Sequence, residues 1–265
     1  MNDPIRWTRI RAFLTHISAS ATVVSVVTAT VFFIWYPWPY WYANAADKIL
    51  LMLVAVDVFI GPTLTLIVFK PGKPGLKMDM TAIITVQIAA LTYGIITLYQ
   101  ARPMFTVYAV DRFEVVTASD IELGKIKHAQ LLDLPFAGPG FAYAKPPSDR
   151  AAAQKILTEV LFHRAPDIER RPELYEPYSS HKETVLSRAK AIDVSHMNSG
   201  EKSKLDAFLN EQNAQQDDFI YFPLVGKDPD RNMLLVVNKI SALPVTGLAI
   251  DPWGIRKATP KAKKK

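Results

Sequence analysis

The chain has 265 residues, is 49% hydrophobic, contains no cysteine and carries a formal net charge of +6. The missing cysteines exclude a disulfide framework, a thiolate nucleophile and a cysteine-built metal site. The charge does not define a nucleic-acid binder: residues 101–265 hold 24 Lys+Arg against 21 Asp+Glu, and without the five lysines of the tail "KATPKAKKK" they stand at 19 against 21.

The apolar residues crowd into the first hundred positions. About 20 are needed to cross a bilayer core as a helix. Three runs meet that length, residues 13–36, 49–69 and 80–100. The first follows Arg6, Arg9 and Arg11 and precedes "ANA", as in a signal peptide, but its apolar stretch exceeds the roughly 7–15 residues of a signal core. It therefore reads as an uncleaved span. Lys70, Lys73 and Lys77 fill the second short loop, whereas the first holds Lys48 opposed by Asp47. The positive-inside rule then places residues 1–12 and 70–79 in the cytoplasm. It places residues 37–48, a domain over 101–256 and the basic tail 257–265 outside. The aromatic run Trp35–Tyr42 suits a membrane-interface belt.

Asp57 stands inside the second span, followed by Gly61 and Pro62. An ionisable residue there is costly and faces protein or a cavity. Counting depth at about 1.5 Å per residue places Ser25 and Tyr93 level with Asp57. Pro62 removes a backbone donor and frees the Val58 carbonyl, so Gly61 and Pro62 read as a helix break. Three roles are open for Asp57: a polar pin between helices, a contact for a partner's span, and a proton or ion relay. Gln87 reads as helix–helix glue. Ser18, Ala21, Thr22, Ser25 and Ala29 give the first span a small-residue face, on which another helix of this chain or of a partner packs closely.

Beyond residue 101 the pattern is that of a small α+β domain. Residues 104–117 read as one strand, 118–126 as a short helix capped by Ser119 or Asp120, and 134–147 as a Pro/Gly-rich loop. Helices are expected over 148–164, 180–192 and 198–215, with an apolar stripe of Ile156, Val160 and Leu161 in the first. Strands are expected over 217–226 and 232–240, with a short one at 247–251. Asp193, Ser195 and His196 are too close in sequence to converge as a triad. His163 and Asp167 read as a helix end and its loop. No catalytic residue, metal site or cofactor motif emerges.

The segments "DVFIGPTLTLIVFKPGKPGLKMDM", "QIAALTYGIITLYQARP" and "VYAVDRFEVV" resemble the type IV pilin accessory proteins, the TfpX/TfpZ family related to FimB. The resemblance implies an inner-membrane protein of a Gram-negative bacterium that helps pilin subunits, major or minor, accumulate or assemble. Membrane lipids and other pilus-assembly proteins are further partners, and no catalytic set or cofactor comes with it. Arg102, Pro103, Asp111, Arg112 and Phe113 fall within the matching pattern. All five are expected where the outer domain meets the third span, with Arg102, Asp111 and Arg112 either forming ion pairs that fix it there or touching a pilin. The competing classes are a membrane-anchored periplasmic hydrolase-like enzyme and a sensor of unknown ligand.

Overall fold

The structure, a computed structural model, describes residues 8–188, 192 and 194–258. Two compact units form. One comprises the chain up to Ile34 together with Ala46–Ala101, and the other comprises Trp35–Ala45 together with everything from Arg102 onward.

The first unit is three helices, each long and apolar enough to cross a membrane: α1 (Arg9–Trp35), α3 (Ala46–Val68) and α4 (Leu76–Gln100). Thr8 caps α1 by accepting from the Arg11 N–H at 3.2 Å. Its last turn, Val31–Trp35, is a π-helix. The single turn α2 (Tyr40–Ala43) lies between α1 and α3 and belongs to the other unit. Within the helical unit α3 packs on both α1 and α4.

Gly61 and Pro62 do not break α3. Residues Ala55–Ile60 form a π-helical turn, and the Gly61 N–H donates to the Val56 carbonyl five residues back. The α-helix then resumes at Gly61 with Pro62 in its first turn, where a missing N–H costs least. The widened turn absorbs the proline that the sequence alone marks as a stop.

The second unit is built on a seven-stranded mixed sheet in the order β4-β3-β1-β2-β5-β6-β7. Its strands are β1 (Pro103–Ala109), β2 (Arg112–Thr117), β3 (Gly140–Ala144), β4 (Tyr175–Pro177), β5 (Phe219–Val225), β6 (Met233–Asn238) and β7 (Pro244–Leu248). β1 pairs with β3 in parallel, as does β2 with β5, and the other pairs are antiparallel. Both edge strands are short and begin or end on proline, which blunts further pairing. Helices α5 (Arg150–His163), α6 (Lys182–Arg188), α7 (Ser199–Gln212) and α8 (Pro252–Ala258) complete the unit. Asp149 caps α5, and Asn198 with Glu201 forms a capping box on α7.

Several expectations change in detail. Residues 104–117 form the β1–β2 hairpin, turned at Val110 with φ +57°. Residues 118–126 contain only the 3-10 turn Leu123–Lys125, because Asp120 instead accepts from the Thr117 N–H at 2.9 Å and closes the end of β2. The Pro/Gly-rich stretch contains β3. Residues 189–191, Asp193 and 259–265 lie outside the described residues.

Strand alternation gives the sheet two apolar faces. Phe105, Val107 and Val116 face one layer, and Leu234 and Val236 join α7 and α8 there. Tyr108, Phe113, Val115, Phe222, Leu235 and Val237 face the other. Tyr40 and Ala43 are part of that second core, so this stretch of the aromatic segment packs on the sheet. Tyr40 Oη accepts from the Thr106 hydroxyl at 3.0 Å, and Trp38 Nε1 donates to the Gly247 carbonyl at 3.0 Å. The Ala43 carbonyl accepts from the Asp228 N–H at 3.2 Å, and Asn44 Oδ1 from the Lys227 N–H at 3.1 Å. A Cβ on Gly226 would stand 2.1 Å from that Ala43 carbonyl oxygen, so only glycine admits the segment.

Gly226→Ala is therefore expected to destabilise the sheet domain by about 1–3 kcal/mol, the usual cost of overpacking, and to expose residues 35–45 to protease. Gly124→Ala, at a position with no atom within 4 Å of the added methyl, is the control. Equal melting temperatures for the two variants in detergent would refute the seating.

Candidate functional site

The helical unit buries a small set of polar groups. Asp57 is 4% exposed, Gln87 9% and Thr65 fully buried. Gln87 Nε2 donates to the backbone carbonyl of Asp57 at 3.3 Å. His16 Nδ1 and Thr65 Oγ1 lie 2.6 Å apart and tie α1 to α3. Two buried oxygens, Asp57 Oδ2 and Gln87 Oε1, have no hydrogen-bond partner among the described residues.

The expected level of Ser25, Asp57 and Tyr93 does not form. Tyr93 is 74% exposed, and Ser25 is exposed on α1. The cause lies in the helix ends. Asp57 is eleven residues from Val68, where α3 ends, and Gln87 is eleven from Leu76, where α4 begins. The apolar run starts only at Met80, because Lys77 and Asp79 interrupt it, but long charged side chains are accommodated in a first turn while their heads reach water. The same count from Arg9 leads to Ser20 rather than Ser25 on α1.

Gly61 is a contact point. A Cβ there would stand 1.9 Å from Gln87 Nε2, so the amide crosses α3 directly over the missing side chain. α3 and α4 are thereby locked at that level by a residue pair that hydropathy alone does not reveal.

Above these groups runs a groove of about 670 Å³. Its walls are Ala12, Thr15, His16, Ala19, Ser20, Val23 and Val24 on α1 and Met80, Ile84, Gln87, Ile88 and Leu91 on α4, with Asp57 and Thr65 from α3 and Phe69 just after it. The predicted small-residue face of Ser18, Ala21, Thr22, Ser25 and Ala29 lies elsewhere. At 3.6 residues per turn it is centred roughly a third of a turn away from the groove wall. Thr22 donates to the Ser18 carbonyl at 2.8 Å on that other face.

In the sheet domain the densest charge cluster joins β2 to the segment before β4. Arg170 Nη2 lies 3.0 Å from Glu114 Oε1 and Arg112 Nη2 3.5 Å from Glu114 Oε2. Tyr175 Oη donates to the Glu169 carbonyl. Burial, reinforced by the charge of Glu114, pushes the Glu169 carboxyl up to about 7. His181 pairs with Glu176 and stacks on Tyr143 at 4.2 Å between ring centroids. A smaller cavity of about 300 Å³ lies among Gln130, Phe141, Tyr178 and Lys182.

The expected junction group divides. Arg102 and Pro103 stand at the start of β1, whereas Asp111 lies in the hairpin turn at its far end and Arg112 opens β2 there, roughly 20 Å along the strand. Phe113 is fully buried against Tyr108 and Phe222. A strand separates what adjacency in sequence had grouped. Asp167 caps a 3-10 turn through the Ile168 N–H at 2.7 Å, as its loop reading implied. Among the described residues no three His, Cys, Asp or Glu side chains cluster as a metal site.

These features define a class: a helical protein with three segments of membrane-spanning length and a mixed-sheet α+β domain. Residues 6–43 match the family described as fimbrial assembly protein FimB. The serogroup I fimbrial assembly protein of Dichelobacter nodosus is 30% identical over 245 residues, covering 90% of this chain and 93% of the relative. The serogroup E1 protein of the same organism is 29% identical over the same shares. A third, from serogroups C1 and C2, is 34% identical over 117 residues, 43% of this chain and 88% of that protein. No solved structure matches. The chain belongs to the FimB fimbrial assembly protein family.

Two outcomes test the geometry. An alanine in a helix interior usually stabilises by about 0.5–1 kcal/mol over glycine. Gly61→Ala should reverse that sign, lowering the melting temperature of the helical unit in detergent, because the methyl expels Gln87; a stabilised variant would contradict the contact. For Glu169 the folded value lies above its ordinary 4.5. The folded state therefore holds the proton more tightly, and stability present below about 4.5 is lost as pH rises through about 7. Glu169→Gln should raise the melting temperature by a few degrees at pH 8 and leave it unchanged at pH 5. The same gain at both values would show that Glu169 is not protonated in the folded domain.

Proposed function

We propose that this chain is a non-catalytic accessory protein of the bacterial inner membrane that binds type IV pilin subunits and stabilises them before assembly. The observation that carries the reading is similarity to a fimbrial assembly protein across nearly the whole of both chains. The geometry favours binding over catalysis. Glu114 of the sheet domain is engaged by Arg112 and Arg170, while the helical unit carries an apolar groove between α1 and α4. A pilin subunit, major or minor, is the partner, with membrane lipids around the helices and other pilus-assembly proteins as further contacts.

In this reading residues 1–12 and 70–79 face the cytoplasm, the three helices span the inner membrane, and residues 101–256 with the tail 257–265 are periplasmic. Arg9, Arg11, Lys70, Lys73 and Lys77 against Lys48 support that orientation. A second support is independent of charge. Residues 35–45 and 102–258 belong to one folded unit, so they must share a side, as an arrangement with two spans between them requires.

Deleting the gene should remove surface pili or lower the pilin level several-fold, and a photocrosslinking residue at Leu157 or Phe162, both exposed on α5, should capture pilin in cells. Normal pili after deletion, with no adduct from any position, would remove this function. In intact spheroplasts a thiol reagent that does not cross membranes should label Ser180→Cys and spare Gly75→Cys. The opposite pattern would invert the topology.

A further inference from the structure

The cavity of about 300 Å³ in the sheet domain combines an apolar lining with a single charge. Phe141 on β3, Pro177 at the end of β4 and Leu243 just before β7 supply apolar wall. Gln130, Ser179 and Lys182 add polar groups, and Lys182 is the one charged residue that lines it. Glu176, on the adjoining strand β4, is already engaged by Lys145 and His181. Half-buried Lys182 makes no hydrogen bond or ion pair among the described residues. A carboxylate is costly to bury alone, and an ammonium group in the same wall offsets that cost.

The rim points to a polypeptide. Ile240 in the β6–β7 turn is 96% exposed, and Leu243 and Val245 are exposed close behind it. This turn is rigid. Asn238 Oδ1 accepts from the Ile240 and Ser241 N–H groups at 3.0 and 2.9 Å, and Tyr178 Oη donates to the Ala242 carbonyl at 2.6 Å. Leu132, also exposed, adjoins the lining residue Leu131. Apolar groups held rigidly lose little entropy when a partner covers them. A free small carboxylate would fill the cavity and leave Ile240 and Leu132 in water. By strand register the turn lies at the end of the sheet away from Pro103, where the chain arrives from α4. That end favours a partner in water over the bilayer.

We propose that this cavity receives a carboxylate side chain of a partner polypeptide, with Lys182 as its charge partner and an apolar stretch of the same segment covering Ile240 and Leu132. This rests on the reading above, in which the partner is the pilin subunit, and it assigns a water-exposed acidic segment of that subunit to the sheet domain. Ser179 and Gln130 supply further donors to the carboxylate.

The test uses the full-length protein in cells making the pilin. A photocrosslinking residue at Ile240 or Leu132 should yield a pilin adduct whose captured peptide holds Asp or Glu. Lys182→Gln should lower that adduct about two- to fivefold, the worth of a half-exposed ion pair, and Lys182→Arg should keep it. Neither should move the melting temperature, because Lys182 pairs with nothing described in the domain. Lys182→Glu should abolish the adduct, and lysine in place of the captured pilin carboxylate should restore it. Ser179→Phe fills the cavity from an exposed position and should block the adduct at normal protein level, with Ser180→Phe as its control. Pilin adducts from α5 but none from Ile240 or Leu132 would overturn the seat and leave the pilin role standing. No pilin adduct anywhere, with normal pili, removes both. Adducts only to a second copy or to another protein overturn the occupant, and a rim adduct that Lys182→Glu and Ser179→Phe leave unchanged overturns the cavity.

Discussion

The fold depends on the seating of residues 35–45 against the second face of the sheet. That face is apolar along β1, β2, β5 and β6, and Tyr40 and Ala43 are part of its core. The contact is specified by atoms that leave little freedom: the Thr106 hydroxyl on Tyr40, the Asp228 N–H on the Ala43 carbonyl, and the bare Cα of Gly226 beneath it. Because the segment joins α1 to α3, the sheet domain is tied to the helices at three points of the chain. The domain is thus discontinuous in sequence.

The two units use polar groups differently. In the sheet domain Glu114 is held by Arg112 and Arg170, and its neighbour Glu169 keeps a proton more firmly than an exposed carboxyl. Such a cluster fixes the segment before β4 to β2, and its pH response is a stability effect. In the helical unit the Gln87 amide spans α3 to α4 and His16 spans α1 to α3, and two oxygens stay buried without a partner among the described residues. Among the described residues each arrangement leaves buried atoms unmet, Arg170 Nε in the first and Asp57 Oδ2 with Gln87 Oε1 in the second.

Much of this was legible in the sequence, and the losses have physical causes. Length and hydropathy located the three apolar helices, and β-branched runs located β5 and β6. The importance of Asp57 followed from the cost of burying a carboxylate. Its neighbours were missed because the depth count began at the apolar run: α4 starts at Leu76, four residues earlier, which shifts the level by about 6 Å along the axis. The packing of Tyr40 and Ala43 on the sheet was not legible because amphipathic rings suit a membrane boundary and a domain core alike. Composition cannot separate the two when the partner strands lie sixty or more residues away. Asp111 and Arg112 were grouped with Arg102 because nothing in "YAVDRF" marks a hairpin except a valine that must accept a positive φ.

The discontinuity of the sheet domain also governs how the chain is made. Tyr40, Trp41 and Tyr42 leave the ribosome well before β1, and the strands β5 and β6 that enclose Tyr40 and Ala43 follow some 180 residues later. Until then this segment lacks the part of its cover that β5 and β6 supply. Any chain interrupted before β6 keeps that segment incompletely covered. The surface that completes the mature fold is thus, in an unfinished molecule, a sticky and conspicuous mark by which holding factors and proteases can distinguish incomplete chains from complete ones.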